Sequence, residues 1–137
     1  MPQYPRFTMS FNIGPSNKER MEAFDLYQKA FCAKKLSEST PPDGTDLHIM
    51  MEIYGVEILI GPGSVAGTGF ENALCCEIRF DNENDFRKAY EKIGKGAQST
   101  SMEGPYPWAT LLGLVVDKFG IGWALYYNKR GMGNTRV

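Results

Sequence analysis

A chain of 137 residues that is 42% hydrophobic suffices for one ordinary domain, burying about two thirds of its unfolded surface. Its 15 basic and 16 acidic residues leave a formal charge of -1, too weak a field to gather nucleic acid or an anionic membrane, so small molecules or proteins are the expected partners. The longest apolar run, ATLLGLVV, is less than half of the ~20 residues a membrane span needs, and MPQYPRF lacks the apolar core of a signal peptide; a cytoplasmic protein is expected.

Residues 7 to 13, FTMSFNI, alternate apolar and polar, the period of a strand with one buried side. Ser16 and Glu19 have the S-x-x-E spacing of a capping box, and Ala23, Phe24, Tyr27, Ala30 and Phe31 recur at helical spacing, predicting a helix to about Phe31. STPPDGT marks a loop, and LHIMMEIYGVEILI reads as two strands about a tight turn at Tyr54-Gly55.

The order then repeats. ALCCEIRFD is a second alternating strand, Asn82 can cap a helix with Phe86, Ala89, Tyr90 and Ile93 as its buried stripe, and Gly94 with Gly96 can end it. WATLLGLVVDKFGIGWALYY predicts two strands about a turn at Phe119-Gly120, with Gly120 at the place of Gly55. An approximate internal duplication follows: a single domain over 1–137, with module one at about 6–62, a linker at 61–72, module two at 73–128 and a flexible tail at 129–137. The linker GPGSVAGTGF is no phosphate loop, because it lacks the lysine and runs into a strand.

Each helix has to bury its stripe on a sheet, so Phe7, Met9, Phe11, Leu74, Cys76, Ile78 and Phe80 are expected to face helices, with Ile121, Trp123, Leu125 and Tyr127. The opposite faces then carry Thr8, Ser10, His48, Met50, Glu52, Glu57, Leu59, Cys75, Glu77, Arg79, Leu111, Gly122, Ala124 and Tyr126. Apolar walls with a few polar groups suit a small-molecule pocket, in which Gly122 and Ala124 leave room; packing against a second subunit is the competing reading. Glu77 and Arg79, two residues apart, read as an ion pair or as an anchor for a ligand. Trp108 could stack on a planar ligand or serve a core. Cys32, Cys75 and Cys76 are an odd number and form no disulfide framework; free cysteines usually act as small buried apolar residues. One histidine, His48, rules out any site built from several.

AFDLYQKAF on the first helix, LHIMMEIYGVEILI with its histidine, and WATLLGLVVDKFGIGW against a W-G-x-R-x-G-x-x-x-D-P-F-G-x-x-W pattern together resemble the vicinal oxygen chelate superfamily of glyoxalase I, bleomycin-resistance proteins and extradiol dioxygenases. The PhnB-like branch, often labelled a 3-demethylubiquinone 3-methyltransferase-type domain, is the closer likeness, over about residues 6–128. The resemblance implies an α+β fold of two β-α-β-β-β modules, forming a curled mixed sheet around a cavity and usually found as a homodimer. It matches His48 to a strand histidine, here a candidate catalytic proton donor or acceptor. The places of the metal ligands fall on Thr8, Leu59, Cys75 and Ala124, which lack the usual His, Gln or Glu, so no cofactor and no divalent metal are expected. The pattern's arginine falls on Leu111, its glycine on Ala109 and its proline on Lys118.

Four functions compete. A metal-independent binder of a small hydrophobic or aromatic molecule leads; a metal-dependent glyoxalase-type lyase or isomerase, with His48 and Glu52, Glu57 or Glu77 as the alternative ligands, comes second. A methyltransferase finds no support, since the chain has no Gly-rich strand-to-helix turn for a cosubstrate. The last is a non-catalytic interaction module whose pocket is filled by Met50, Leu59, Leu111 and Tyr126.

Overall fold

In the computed structural model, which describes residues 5, 7–40, 42, 44–63 and 74–129, the chain divides into two compact units, Met1–Val65 and Ala66–Val137. Most of the expected linker, and the tail from 130 onward, lie outside the described residues. Each unit holds one β-α-β-β-β module and one four-stranded mixed sheet.

Module one runs β1 (Met9–Asn12), α1 (Asn17–Phe31), β2 (Lys34–Ser39), β3 (His48–Ile53) and β4 (Val56–Gly61), in the sheet order β1-β4-β3-β2. The Ser16 hydroxyl accepts from the Glu19 N–H and satisfies one of the orphan donors of the first turn. Cys32 ends the helix in a left-handed conformation. Ala23, Tyr27, Ala30 and Phe31 are buried, against Phe11, Ile49, Met51, Ile58 and Ile60 of the sheet. Arg20 is also buried: its guanidinium donates to the carbonyls of Ile13 and Gly14 and to Asn17 Oδ1. These bonds tie the exit of β1 to the start of α1, and Asn17 Oδ1 also accepts from the Leu47 N–H ahead of β3.

Module two runs β5 (Cys76–Phe80), α2 (Glu83–Ile93), β6 (Ser99–Glu103), β7 (Leu111–Val116) and β8 (Gly122–Tyr127), in the corresponding order β5-β8-β7-β6. Asn82 caps α2 by accepting from the Asp85 N–H, and Phe86, Ala89 and Ile93 are the buried stripe. Phe86 meets Phe80 edge-on at 6.1 Å. Gly113 lies under this helix, where a Cβ would come within 2.6 Å of the Tyr90 ring.

Three expectations need correction. Phe7 and Leu74 are 86% and 70% exposed, because β1 starts at Met9 and β5 at Cys76; the alternation runs past the end of each strand. Cys32 and Cys75 are exposed and Cys76 half-buried, the first as a helix cap and the second ahead of its strand. The edge strands β2 and β6 have no apolar alternation, and only the family resemblance implied a third strand per hairpin.

The third correction concerns the second hairpin. The first has the expected two-residue turn, with Ile53 opposite Val56 and positive φ at Tyr54 and Gly55. In the second, Val116 pairs with Gly122, so five residues turn the chain instead of two. Buried Asp117 dictates this: its carboxylate accepts from the N–H groups of Phe119 and Ile121 and from the Trp123 indole. A one-residue change of register turns every side chain of a strand over. Leu111 therefore pairs with Tyr127 on the helix side, while Leu112 and Leu114 take the opposite face. The D-x-F-G-x-x-W segment is thus a structural turn.

Candidate functional site

The open face of each sheet, the one turned away from its own helix, is ordered by strand register. In module two it consists of two rows across β5, β8, β7 and β6: Glu77, Ala124, Leu114, Ser101 and Arg79, Tyr126, Leu112, Glu103. Each row is polar at both ends and apolar or aromatic in the middle. Three strand spacings make each about 14 Å wide.

The polar ends are ordered. Glu77 accepts from the Tyr126 hydroxyl at 2.9 Å and lies 3.7 Å from Arg79, whose guanidinium stands 4.9 Å from the centre of the Tyr126 ring. Burial first, and then the bond to Glu77, push the Tyr126 phenol above its ordinary pKa, since ionising it would set two anions side by side. At the other end Glu103 accepts from the Ser101 hydroxyl at 2.9 Å and the Tyr106 hydroxyl at 2.8 Å. That second bond raises the Tyr106 phenol in the same way.

The middle is partly covered by the chain itself. Ala109, Leu112 and Ala124 form a buried cluster, and Tyr106, Leu114 and Tyr126 pack against it. Ala124 is only 3% exposed, so the room it leaves is taken by its own module's side chains. What remains accessible is a surface of Leu114, the two tyrosines and Trp108, which stacks on Tyr106 and is 59% exposed. Tyr106 and Leu114 are site residues that sequence reasoning missed. The five-residue turn hid Leu114, and no periodicity marks Tyr106, which precedes the strand.

In module one the corresponding rows are Asn12, Gly61, His48, Ser39, then Ser10, Leu59, Met50, Ser37, then Glu57, Glu52, Lys34. His48, Met50, Glu52, Glu57, Leu59 and Ser10 do share one face, as expected, and Thr8 precedes Ser10 as an exposed residue ahead of β1. His48 Nδ1 is 2.6 Å from the Asp46 carbonyl oxygen. A carbonyl only accepts, so Nδ1 donates this bond and Nε2 is the ring nitrogen left for another partner. That ring lies over Gly61, whose missing Cβ would stand 3.5 Å from it.

The places implied for a metal do not fit one. Leu59 and Ala124 have no donor atom, and Ala124 lies beneath its cluster. A lone threonine hydroxyl cannot replace a cation's hydration. Among the described residues no three His, Cys, Asp or Glu side chains are grouped to hold a metal ion, and no helix is long and apolar enough to cross a membrane.

No protein-family model matches this chain, and no curated protein matches its sequence. Solved structures do. The PhnB protein from Bacillus cereus is similar at 18% identity, over 90% of this chain and 100% of that chain, with a TM-score of 0.70. Protein PA1353 from Pseudomonas aeruginosa is 15% identical over 91% of this chain and 98% of that one, with a TM-score of 0.68. The fosfomycin resistance protein FosX from Listeria monocytogenes is 12% identical over 96% and 98%, at 0.69; the same protein has been solved in complex with Mn(II) and sulfate. A glyoxylase/bleomycin resistance protein/dioxygenase domain from Frankia sp. EAN1pec is 12% identical over 94% and 99%, at 0.61. At such identities the likeness is one of architecture, and it extends over nearly the whole chain: this protein has the glyoxalase/bleomycin-resistance fold.

Proposed function

We propose that this chain is a binding protein for a small hydrophobic or aromatic molecule, that it needs no metal ion to bind it, and that it works as a cytoplasmic homodimer. The observation that carries the reading is the pair of rows on the open face of module two, where Leu114 and Tyr126 lie between Glu77 and Arg79 at one edge and Ser101 and Glu103 at the other. Small-molecule sites have this composition: an apolar surface for affinity and a few fixed polar groups for orientation.

Chelator-treated protein screened for thermal stabilisation against small aromatic and hydrophobic compounds should give saturable shifts, weakened by Leu114→Asn. Silence across a broad library would sink the proposal. It would favour a second reading, an interaction module whose face is filled, which is supported by the packing of Tyr106 and Tyr126 over Ala109, Leu112 and Ala124. Stoichiometric nickel, zinc or manganese binding that disappears in His48→Ala would instead favour a glyoxalase-type lyase or isomerase.

A further inference from the structure

The segment ahead of β7 presents an aromatic pair on a fixed turn. Tyr106 and Ala109 exchange backbone bonds, N–H to carbonyl, at 2.7 and 3.2 Å. Asn128, buried at the end of β8, donates from its amide to the Trp108 carbonyl and accepts from the Thr110 N–H. Pro105 and Pro107 restrict the backbone on both sides of Tyr106. The two rings are therefore held before any ligand arrives: they stack with centroids 4.9 Å apart and planes within 5°. Tyr106 has the apolar cluster to pack on, and Trp108 is the exposed member.

The charges of the two edges differ. Glu77 has a cation of its own in Arg79. Glu103 accepts only from two neutral hydroxyls, and among the described residues no lysine or arginine pairs with it. A carboxylate offers about four acceptor positions, so two bonds leave it both its charge and the capacity to bind a further donor. Aromatic faces carry negative potential, and the face of tryptophan attracts cations most strongly. Ring stack and carboxylate thus favour the same sign of ligand.

We infer that the Tyr106–Trp108 turn is a stacking platform for a planar, positively charged ring, which lies on the exposed face of Trp108 in the combined negative field of the stacked rings and of Glu103, held at the Tyr106 hydroxyl. This rests on the reading of the same face as a small-molecule site, and it names the ligand class. Because the platform is preordered, binding has little side-chain entropy to overcome.

Three probes built on one ring test the inference: nicotinate as the anion, nicotinamide as the neutral form and 1-methylnicotinamide as the cation. Binding is read from quenching of Trp108 fluorescence, for which the other tryptophan, Trp123, at 1% exposure, is a shielded background. The cation should bind at least tenfold more tightly than the neutral probe, and the anion most weakly. Trp108→Phe should remove the quenching signal, and Glu103→Gln should bring the cation to within about threefold of the neutral probe. Equal binding of all three by the wild-type chain overturns the charge assignment while the binding reading stands. Quenching by none of them, when other aromatic compounds do stabilise the protein, overturns the platform alone. Silence from the probes and the compound library together overturns both.

Discussion

The two modules have one topology and two chemistries. Four residues after its helix cap, module two places Phe86 in the core; four residues after Ser16, module one places Arg20, buried like its counterpart. The first hairpin turns on two residues with positive φ, whereas the second needs five and a buried carboxylate. On the open faces, module one brings Glu57 and Glu52 together beside Lys34, whereas module two pairs Tyr126 with Leu112. Like charges directly opposite each other weaken a sheet, whereas an aromatic and an aliphatic neighbour strengthen it. The two modules share the order of strands, which is a property of backbone pairing, and differ in their exposed rows. A repeated fold does not imply a repeated site.

The sharpest way to break the comparison is at the turns. Asp117→Ala would leave the Trp123 indole and two backbone N–H groups without their acceptor, at a cost of about 3–5 kcal/mol, visible as a large fall in the denaturation midpoint. Gly55→Ala, which forces a side chain onto a φ of 86°, should cost only about 1 kcal/mol. Equal losses would mean that the second turn does not depend on its carboxylate. Arg20→Met comes next: it frees the Ile13 and Gly14 carbonyls and Asn17, for a loss of about 2 kcal/mol, in contrast to Phe86→Leu, which keeps an apolar stripe and should cost less.

A smaller effect is alkaline. Burial, with lesser contributions from Cys75 and Asp117, pushes the Cys76 thiol from an ordinary 9.0 to about 11. Between those values the folded chain keeps a proton that the unfolded chain has released. Stability should therefore be intact below about pH 9 and fall as the pH rises toward 11, by about 1–2 kcal/mol. Cys76→Ala should flatten that slope in denaturant titrations at pH 8 and pH 11; an unchanged slope would assign it elsewhere. The smallest effect is Tyr126→Phe, which loses one half-exposed bond to Glu77 and should change stability by less than about 1 kcal/mol while altering ligand selectivity.

Much of this molecule could be read in the sequence. Both helices begin at the predicted caps, Ser16 and Asn82, because capping is local chemistry; β1 and β5 announce themselves through alternation, and the strands of the two hairpins through apolar runs about a glycine turn. The edge strands β2 and β6 were legible only through family resemblance, since a strand that buries neither face leaves no pattern. Leu111 was assigned to the wrong face because turn length sets register, and nothing in DKFGI as letters says that Asp117 is buried and holds three N–H groups. Arg20 looks like a surface residue of an amphipathic helix; its burial depends on carbonyls of Ile13 and Gly14, which only the fold brings within reach. The stack of Tyr106 on Trp108 depends likewise on Asn128, about twenty residues away.

The most direct test of metal-free binding is native mass spectrometry of the protein as purified, with metal analysis, followed by ligand titration before and after chelator treatment. Dimers without stoichiometric metal and a ligand affinity unchanged by the chelator are the expected result. One divalent ion per chain, whose removal abolishes binding, would contradict it.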